Sequence, residues 1–208
     1  MAMADENPIT DSDFEQAFVL EANKDASDGW SLYAKGERYE SWVRKRPGES
    51  LNLIRHTYEL TGTTAEQLTE LLKDPTAFDK NYKEFKVVKE CDGYSICRTL
   101  ISMSAIPLVS EREFVSAISV RTISDAIVTI AKAHPTDLVP VTSRYVRGEP
   151  MVFVTIVREK DGVVTFCSLY KTDYKGSIPY SMVNSTSAGL APGYVKMLQR
   201  YIDKKAQG

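Results

Sequence analysis

Four apolar residues, Phe14, Ala17, Phe18 and Leu20, recur at helical spacing behind Asp11 and Ser12, either of which suits an N-cap. The chain is therefore predicted to open on a helix running to about residue 25. After Asp28-Gly29 the period falls to two. Trp30 and Leu32, then Tyr39, Ser41 and Val43, then Leu51, Leu53 and residues 56–60 predict three short antiparallel strands, with Gly36 and Pro47-Gly48 at the turns. Thr63 or Thr64 caps a second helix through Leu68, Leu71 and Leu72, which Asp74-Pro75 stops. From Tyr82 onward the strand pattern is nearly continuous. Strands are predicted over 83–90, 94–102, 113–122, 126–133, 141–146, 151–159 and 163–170, with Asp92-Gly93 and Asp161-Gly162 as hairpin turns. Two connections carry apolar tips: Ile106, Leu108 and Val109 in the first, Leu138 and Val139 in the second. Gly176-Ser177-Ile178-Pro179 then opens one long C-terminal helix, with Ile178, Met182, Val183, Val195, Leu198, Tyr201 and Ile202 at helical spacing and a kink over 189–193.

This order of elements predicts a single α+β domain over 1–208, with residues 1–10 disordered and one curved antiparallel sheet gripping the C-terminal helix. Composition fits a folded globule, with 43% hydrophobic and 26% charged residues. The 26 Lys and Arg against 28 Asp and Glu leave a net charge of −2, which excludes a broadly basic nucleic-acid surface. No apolar stretch approaches the roughly 20 residues of a membrane-spanning helix. The N-terminus has neither the charged nor the apolar region of a signal peptide, so a cytoplasmic location is expected.

Catalytic chemistry is scarce. His56 and His134 are the two imidazoles, the first in strand periodicity beside Arg55 and the second before Pro135 in a loop. No His-x-Glu, Glu-x-x-His or Cys-x-x-Cys array is present, and Cys91, Cys97 and Cys167 lack metal-ligand spacing. Gly-x-Ser-x-Gly, Walker A and Gly-x-Gly-x-x-Gly are also absent. No catalytic residue, metal site or cofactor is expected.

Strand parity says more. Cys97, Thr99, Ile101 and Met103 share one strand face, and Phe114, Ser116, Ile118 and Val120 share one face of the next strand. Both faces mix apolar bulk with small hydroxyls and carry no charge. A packed core and the wall of an apolar cavity both satisfy this pattern.

Four motifs in order resemble those of the StAR-related lipid transfer (START) family: Ser110-Glu111-Arg112-Glu113-Phe114-Val115, His134-Pro135, Val146-Arg147-Gly148, and Thr172-Asp173-Tyr174-Lys175-Gly176-Ser177-Ile178-Pro179. Glu113 stands where the family usually has Asp. The resemblance implies a helix-grip fold: an N-terminal helix, a curved nine-stranded antiparallel sheet and a C-terminal helix that closes an internal lipid cavity. It also implies a non-enzymatic monomeric carrier that encloses one lipid, touches membranes transiently and moves its cargo between them. The length is similar to that of the family's single-domain branch that binds sterols or steroids. The acidic residue and arginine of steroidogenic carriers fall at Thr99 and Ile118, and Ile101 stands where phosphatidylcholine carriers place a Trp, so neither specialised site is complete.

The cavity lining implied is Thr99, Ile101, Met103, Phe114, Ser116, Ile118, Tyr145, Phe166, Ser168 and Tyr170, with lid residues Met182, Val183 and Thr186. Membrane contact is expected from Ile106, Leu108, Val109, Leu138 and Val139, and from Lys196, Arg200 and Lys204, which recur every four residues on the last helix. A phospholipid carrier is the alternative. A lipid sensor or a helix-grip cyclase using Arg144, Arg147, Tyr145 or Tyr170 are further ones, although these four form no recognisable acid/base pair.

Overall fold

The computed structural model describes residues 7–103 and 109–207. Helix α1 (Asp11–Ala22) precedes strands β1 (Trp30–Gly36), β2 (Tyr39–Arg44) and β3 (Leu53–Thr61). Helix α2 (Ala65–Lys73) leads to β4 (Tyr82–Cys91), β5 (Tyr94–Ile101), β6 (Arg112–Ile123) and β7 (Ala126–Ala133). Then come β8 (Val146–Arg147), β9 (Glu149–Lys160), β10 (Val163–Asp173), α3 (Tyr180–Ala188) and α4 (Ala191–Ala206). Nine strands run antiparallel in the order β1-β2-β3-β10-β9-β7-β6-β5-β4, and β8 adds a short parallel pairing to the start of β6. This is the helix-grip fold.

The sheet has two apolar faces because its strands alternate under cover on both sides. On the outer face, Ile9, Phe14, Ala17 and Leu20 pack against Trp30, Ile96, Val115, Val128, Ile156 and Leu169. On the inner face, Val195, Leu198 and Ile202 of α4 and Leu68 of α2 pack against Tyr58, Leu60, Val157 and Phe166. A smaller cluster joins Ala188, at the end of α3, to Val43 and Ile54.

Several expectations shift. Thr10, not Asp11 or Ser12, is the N-cap of α1: its N–H donates to Asp13 Oδ2 at 2.7 Å. Residues 7–10, expected to be disordered, are placed: Ile9 is 2% exposed in the outer core. The helix stops at Ala22, where Arg55 on the outer face of β3 donates to the carbonyls of Leu20 and Glu21. The predicted strand over 141–146 shrinks to β8, because β7 pairs directly with β9 and leaves no edge there for another strand. The predicted single C-terminal helix is two. Pro192 has no N–H to bond the Ala188 carbonyl and would crowd it, so the helix breaks at Gly189-Leu190 and restarts. That freed carbonyl accepts from the Ser41 hydroxyl at 2.9 Å.

Candidate functional site

The register brings the two uncharged strand faces together. Thr99 lies opposite Phe114 and Cys97 opposite Ser116, while Ser116 faces Ala133 and Ile118 faces Ala131 across the next pairing. Thr129 pairs with Thr155, which pairs with Ser168, and Tyr170 with Phe153, so the inner face continues to β10. Ile101, Met103, Ile118, Phe153 and Ser168 are half-buried, and Phe114 and Ser116 are buried. Ile101, Phe114, Ile118, Ala131 and Phe153 belong to none of the three packed clusters, whereas Phe166 and Tyr170 stand at the edge of this patch against α4 and α3. The inner face is thus packed at one end and unfilled by side chains of those cores at the other.

Tyrosines gather beside this patch. Tyr58 stacks on Phe166 with ring centroids 5.3 Å apart and meets Tyr194 at 5.6 Å, and Tyr174 meets Phe114 edge-on at 5.8 Å. Tyr82, Tyr174 and Tyr194 keep part of their surface accessible, yet burial raises the pKa of each hydroxyl. His56 is 1% exposed on the same face. Its Nε2 lies 2.9 Å from the Tyr170 hydroxyl, and burial lowers its pKa to about 4, so it is neutral. Sequence periodicity placed Tyr170 here but missed Tyr58, Tyr82, Tyr174 and Tyr194, which come from four separate segments.

Not every expected residue joins the patch. Tyr145 lies on the outer side, 5.5 Å from the guanidinium of Arg98, and its ring also carries Arg144 at 5.1 Å. Beneath it, Glu113 is held between Arg98 and Arg147, each 2.6 Å away, with Arg98 also reaching Glu84. Glu113 is long enough to meet both guanidiniums, which accounts chemically for a carboxylate at this place in the motif. On α3, Val183 is half-buried, while Met182 and Thr186 are exposed. The helix is held to the segment before β3 through Asn184, which accepts from the Asn52 N–H and donates to the Ser50 carbonyl, and to β3 through the Ser187 carbonyl at His56.

Of the apolar tips, Ile106 and Leu108 lie outside the described residues. Val109 is half-buried and Leu138 is 54% exposed. Val139 turns inward: it is 8% exposed within the outer core, where its carbonyl accepts from Arg147 at 3.0 Å. It does not form an exposed tip. Lys196, Arg200 and Lys204 do form one surface, a groove of about 430 Å³ between α4 and Phe78, completed by Gly193, Met197 and Tyr201. Among the described residues, none of these three cations has an ion-pair partner.

Among the described residues, no group of three His, Cys, Asp or Glu is placed to hold a metal ion, and no helix is long and apolar enough to cross a membrane. Burial raises the Cys97 and Cys167 thiols to about 11 and about 12, away from the reactive thiolate.

StAR-related lipid transfer protein 5 from Bos taurus is 28% identical over 208 residues, covering 89% of this chain and 91% of that protein. Its Mus musculus counterpart is 28% identical over 205 residues, with the same coverage of 89% and 91%. The structure of human StAR-related lipid transfer protein 5 matches with a TM-score of 0.83 at 21% identity, over 93% of this chain and 94% of that one. Human STARD10 matches with a TM-score of 0.83 at 20% identity, over 96% and 82%. These two share the helix-grip fold. The START domain itself matches residues 11–207, from the first helix to the last, and by that match the chain belongs to the START domain family of lipid transfer proteins.

Proposed function

We propose that the chain is a non-enzymatic carrier that holds one sterol or steroid-like lipid between the inner face of the sheet and helices α3 and α4, and transfers it between membranes. The observation that carries this is the uncharged inner patch of Thr99, Ile101, Phe114, Ser116 and Ile118, whose apolar members stand outside every packed cluster. A cavity wall accounts for the pattern where a packed core does not. Burying on the order of 300 Å² of a sterol's apolar surface contributes roughly 7 kcal/mol before ordering costs, enough for micromolar affinity with little polar help.

The charge distribution favours a sterol over a phospholipid. Arg55 and Arg112 are the buried cations among the described residues. Arg55 lies on the outer face, and Arg112 donates to the carbonyls of Tyr174, Lys175 and Ser110. Neither is free to meet a phosphate, and a buried phosphate without a cation is costly. The α4 groove, with its three exposed cations, suits transient contact with an anionic membrane.

Native mass spectrometry of the protein as purified, together with transfer between donor and acceptor liposomes, tests this function. A retained sterol mass and catalytic acceleration of sterol transfer are expected. A chain that retains phospholipid and accelerates only phospholipid transfer overturns the sterol assignment, and binding without transfer identifies a sensor instead.

A further inference from the structure

Tyr170 has a protein partner, since its hydroxyl donates to the Ser187 carbonyl at 2.8 Å. The hydroxyls of Tyr58, Tyr82, Tyr174 and Tyr194 have none among the described residues, although packed rings fix three of the four in place. Tyr58 is the deepest of them, 2% exposed as a residue, and its ring is fixed by Phe166 and Tyr194. The four phenols come from β3, β4, the segment after β10, and α4, and they converge beside Phe114 and Phe166. Tyr194 meets both Tyr58 and Phe166, Tyr174 meets Phe114, and Tyr82 is paired with Ile101 of the uncharged inner patch, so all four border that patch.

We propose that Tyr58, Tyr82, Tyr174 and Tyr194 form the polar end of the lipid cavity and bind a neutral oxygen of the ligand, a hydroxyl or a ketone. This subsite rests on the sterol-carrying cavity proposed above. Neutral phenols both donate and accept, and a ligand oxygen entering their midst satisfies groups that the protein leaves unsatisfied. A charged oxygen is disfavoured there. Asp79, 8% exposed, stands next to the site and accepts the Asn81 N–H at 2.9 Å, and its charge acts on both Tyr82 and Tyr194. A sulfate or carboxylate would meet that charge, and the cation whose field reaches the cluster, Arg112 beside Tyr174, is already committed to the carbonyls of Tyr174, Lys175 and Ser110. The ligand class is therefore an uncharged oxygenated steroid rather than a steroid acid or sulfate.

Cholesterol and cholesteryl sulfate, which share one ring system and differ in charge at a single oxygen, are suitable probes for direct binding titrations. The wild-type protein is expected to bind cholesterol at least about tenfold more tightly than the sulfate. Asp79→Asn retains the acceptor for Asn81 and is expected to narrow that gap by about threefold or more. Among Tyr58→Phe, Tyr82→Phe, Tyr174→Phe and Tyr194→Phe, each of which keeps its ring, at least one is expected to weaken cholesterol binding by about fivefold or more. Equal affinity for the two probes, or four Phe variants that all bind cholesterol like the wild type, overturns the subsite while leaving the sterol cavity intact. Phosphatidylcholine binding without binding of either steroid overturns both.

Discussion

His56 Nε2 lies 3.0 Å from the main-chain oxygen of Ser187, so a side chain of β3 holds the end of α3. The Tyr170 hydroxyl donates to the same oxygen at 2.8 Å, and the Ser41 hydroxyl donates to Ala188 O at 2.9 Å. Three adjacent strands thus supply donors to the last carbonyls of α3, where Ser187 O receives a long 3.4 Å bond from the Leu190 N–H along the chain. Because the one Tyr170 proton goes to Ser187, the contact is best satisfied with the imidazole proton on Nε2. That leaves Nδ1 a bare acceptor, buried and without a hydrogen-bond partner.

This arrangement makes stability depend on pH in a defined direction. Burial lowers the His56 pKa from 6.5 to about 4, against the smaller raising effect of the Ser187 carbonyl. The unfolded chain takes up a proton below pH 6.5 that the folded chain refuses, so stability is full above pH 6.5 and falls as pH drops towards 4. The whole window is worth about 3 kcal/mol. Glu40, held down to about 2 chiefly by Lys35, also contributes stability that is lost as pH falls, but only below its usual 4.5. Urea midpoints between pH 7 and about 5 therefore isolate the imidazole. His56→Gln is expected to flatten that slope; an unchanged slope in the variant removes His56 as its source.

Arg55 predicts a local effect on α1. Its guanidinium lies 4.7 Å from the Trp30 ring and 5.2 Å from the Trp42 ring, and it donates to the carbonyls of Glu21 and Asn23 at 2.7 Å. Charge at a helix C-terminus, two charged hydrogen bonds and two ring faces together should contribute about 3 kcal/mol. Arg55→Met, which keeps much of the apolar stem, is expected to lose most of that stability and to speed amide exchange in α1 more than in β9 or β10. Uniform exchange across the molecule would show a general loss of stability instead of a lost cap.

What the sequence revealed depended on whether a residue's neighbours were local. The pairing of Thr99 with Phe114 follows from period-two alternation and a short connection, and it was legible. The tyrosine cluster was not, because Tyr58, Tyr82, Tyr174 and Tyr194 meet only when the sheet curls and α4 docks. Val139 shows a different limit: an apolar loop residue can face a membrane or the core, and it is burial in the outer core, with its carbonyl held by Arg147, that distinguishes them here. Tyr145 was drawn from the inner face by Arg98, a partner that strand parity could not supply.

Gly148 and Phe114 predict a steric effect on the proposed cavity. A Cβ at Gly148 would stand 2.3 Å from Phe114 Cε1 and 2.6 Å from its Cζ, so any side chain there must push the ring aside. Phe114 is 7% exposed and already meets Tyr174, leaving little room to yield. Gly148→Ala should destabilise the protein by about 2 kcal/mol as an overpacked site. It should also reduce sterol capacity by displacing the ring towards the inner patch. A variant with wild-type melting and wild-type sterol binding would mean that the ring moves freely.

The α4 groove makes the last prediction, because it separates electrostatic from apolar membrane contact. Lys196, Arg200 and Lys204 line the groove with Phe78, Met197 and Tyr201, and the cations lie within one exposed face of α4. A cation near an anionic bilayer contributes about 1 kcal/mol, so neutralising each should weaken binding by about fivefold. Lys196→Gln, Arg200→Gln and Lys204→Gln are expected to act cumulatively on phosphatidylserine-rich vesicles and to leave phosphatidylcholine vesicles unaffected. Raising salt should reproduce the triple variant's loss in the wild type, since exposed charges are screened over about 10 Å at 0.1 M salt. If Phe78→Ala alone abolishes binding to both vesicle types while the Gln variants bind normally, contact is apolar and the basic stripe is a solvated helix face.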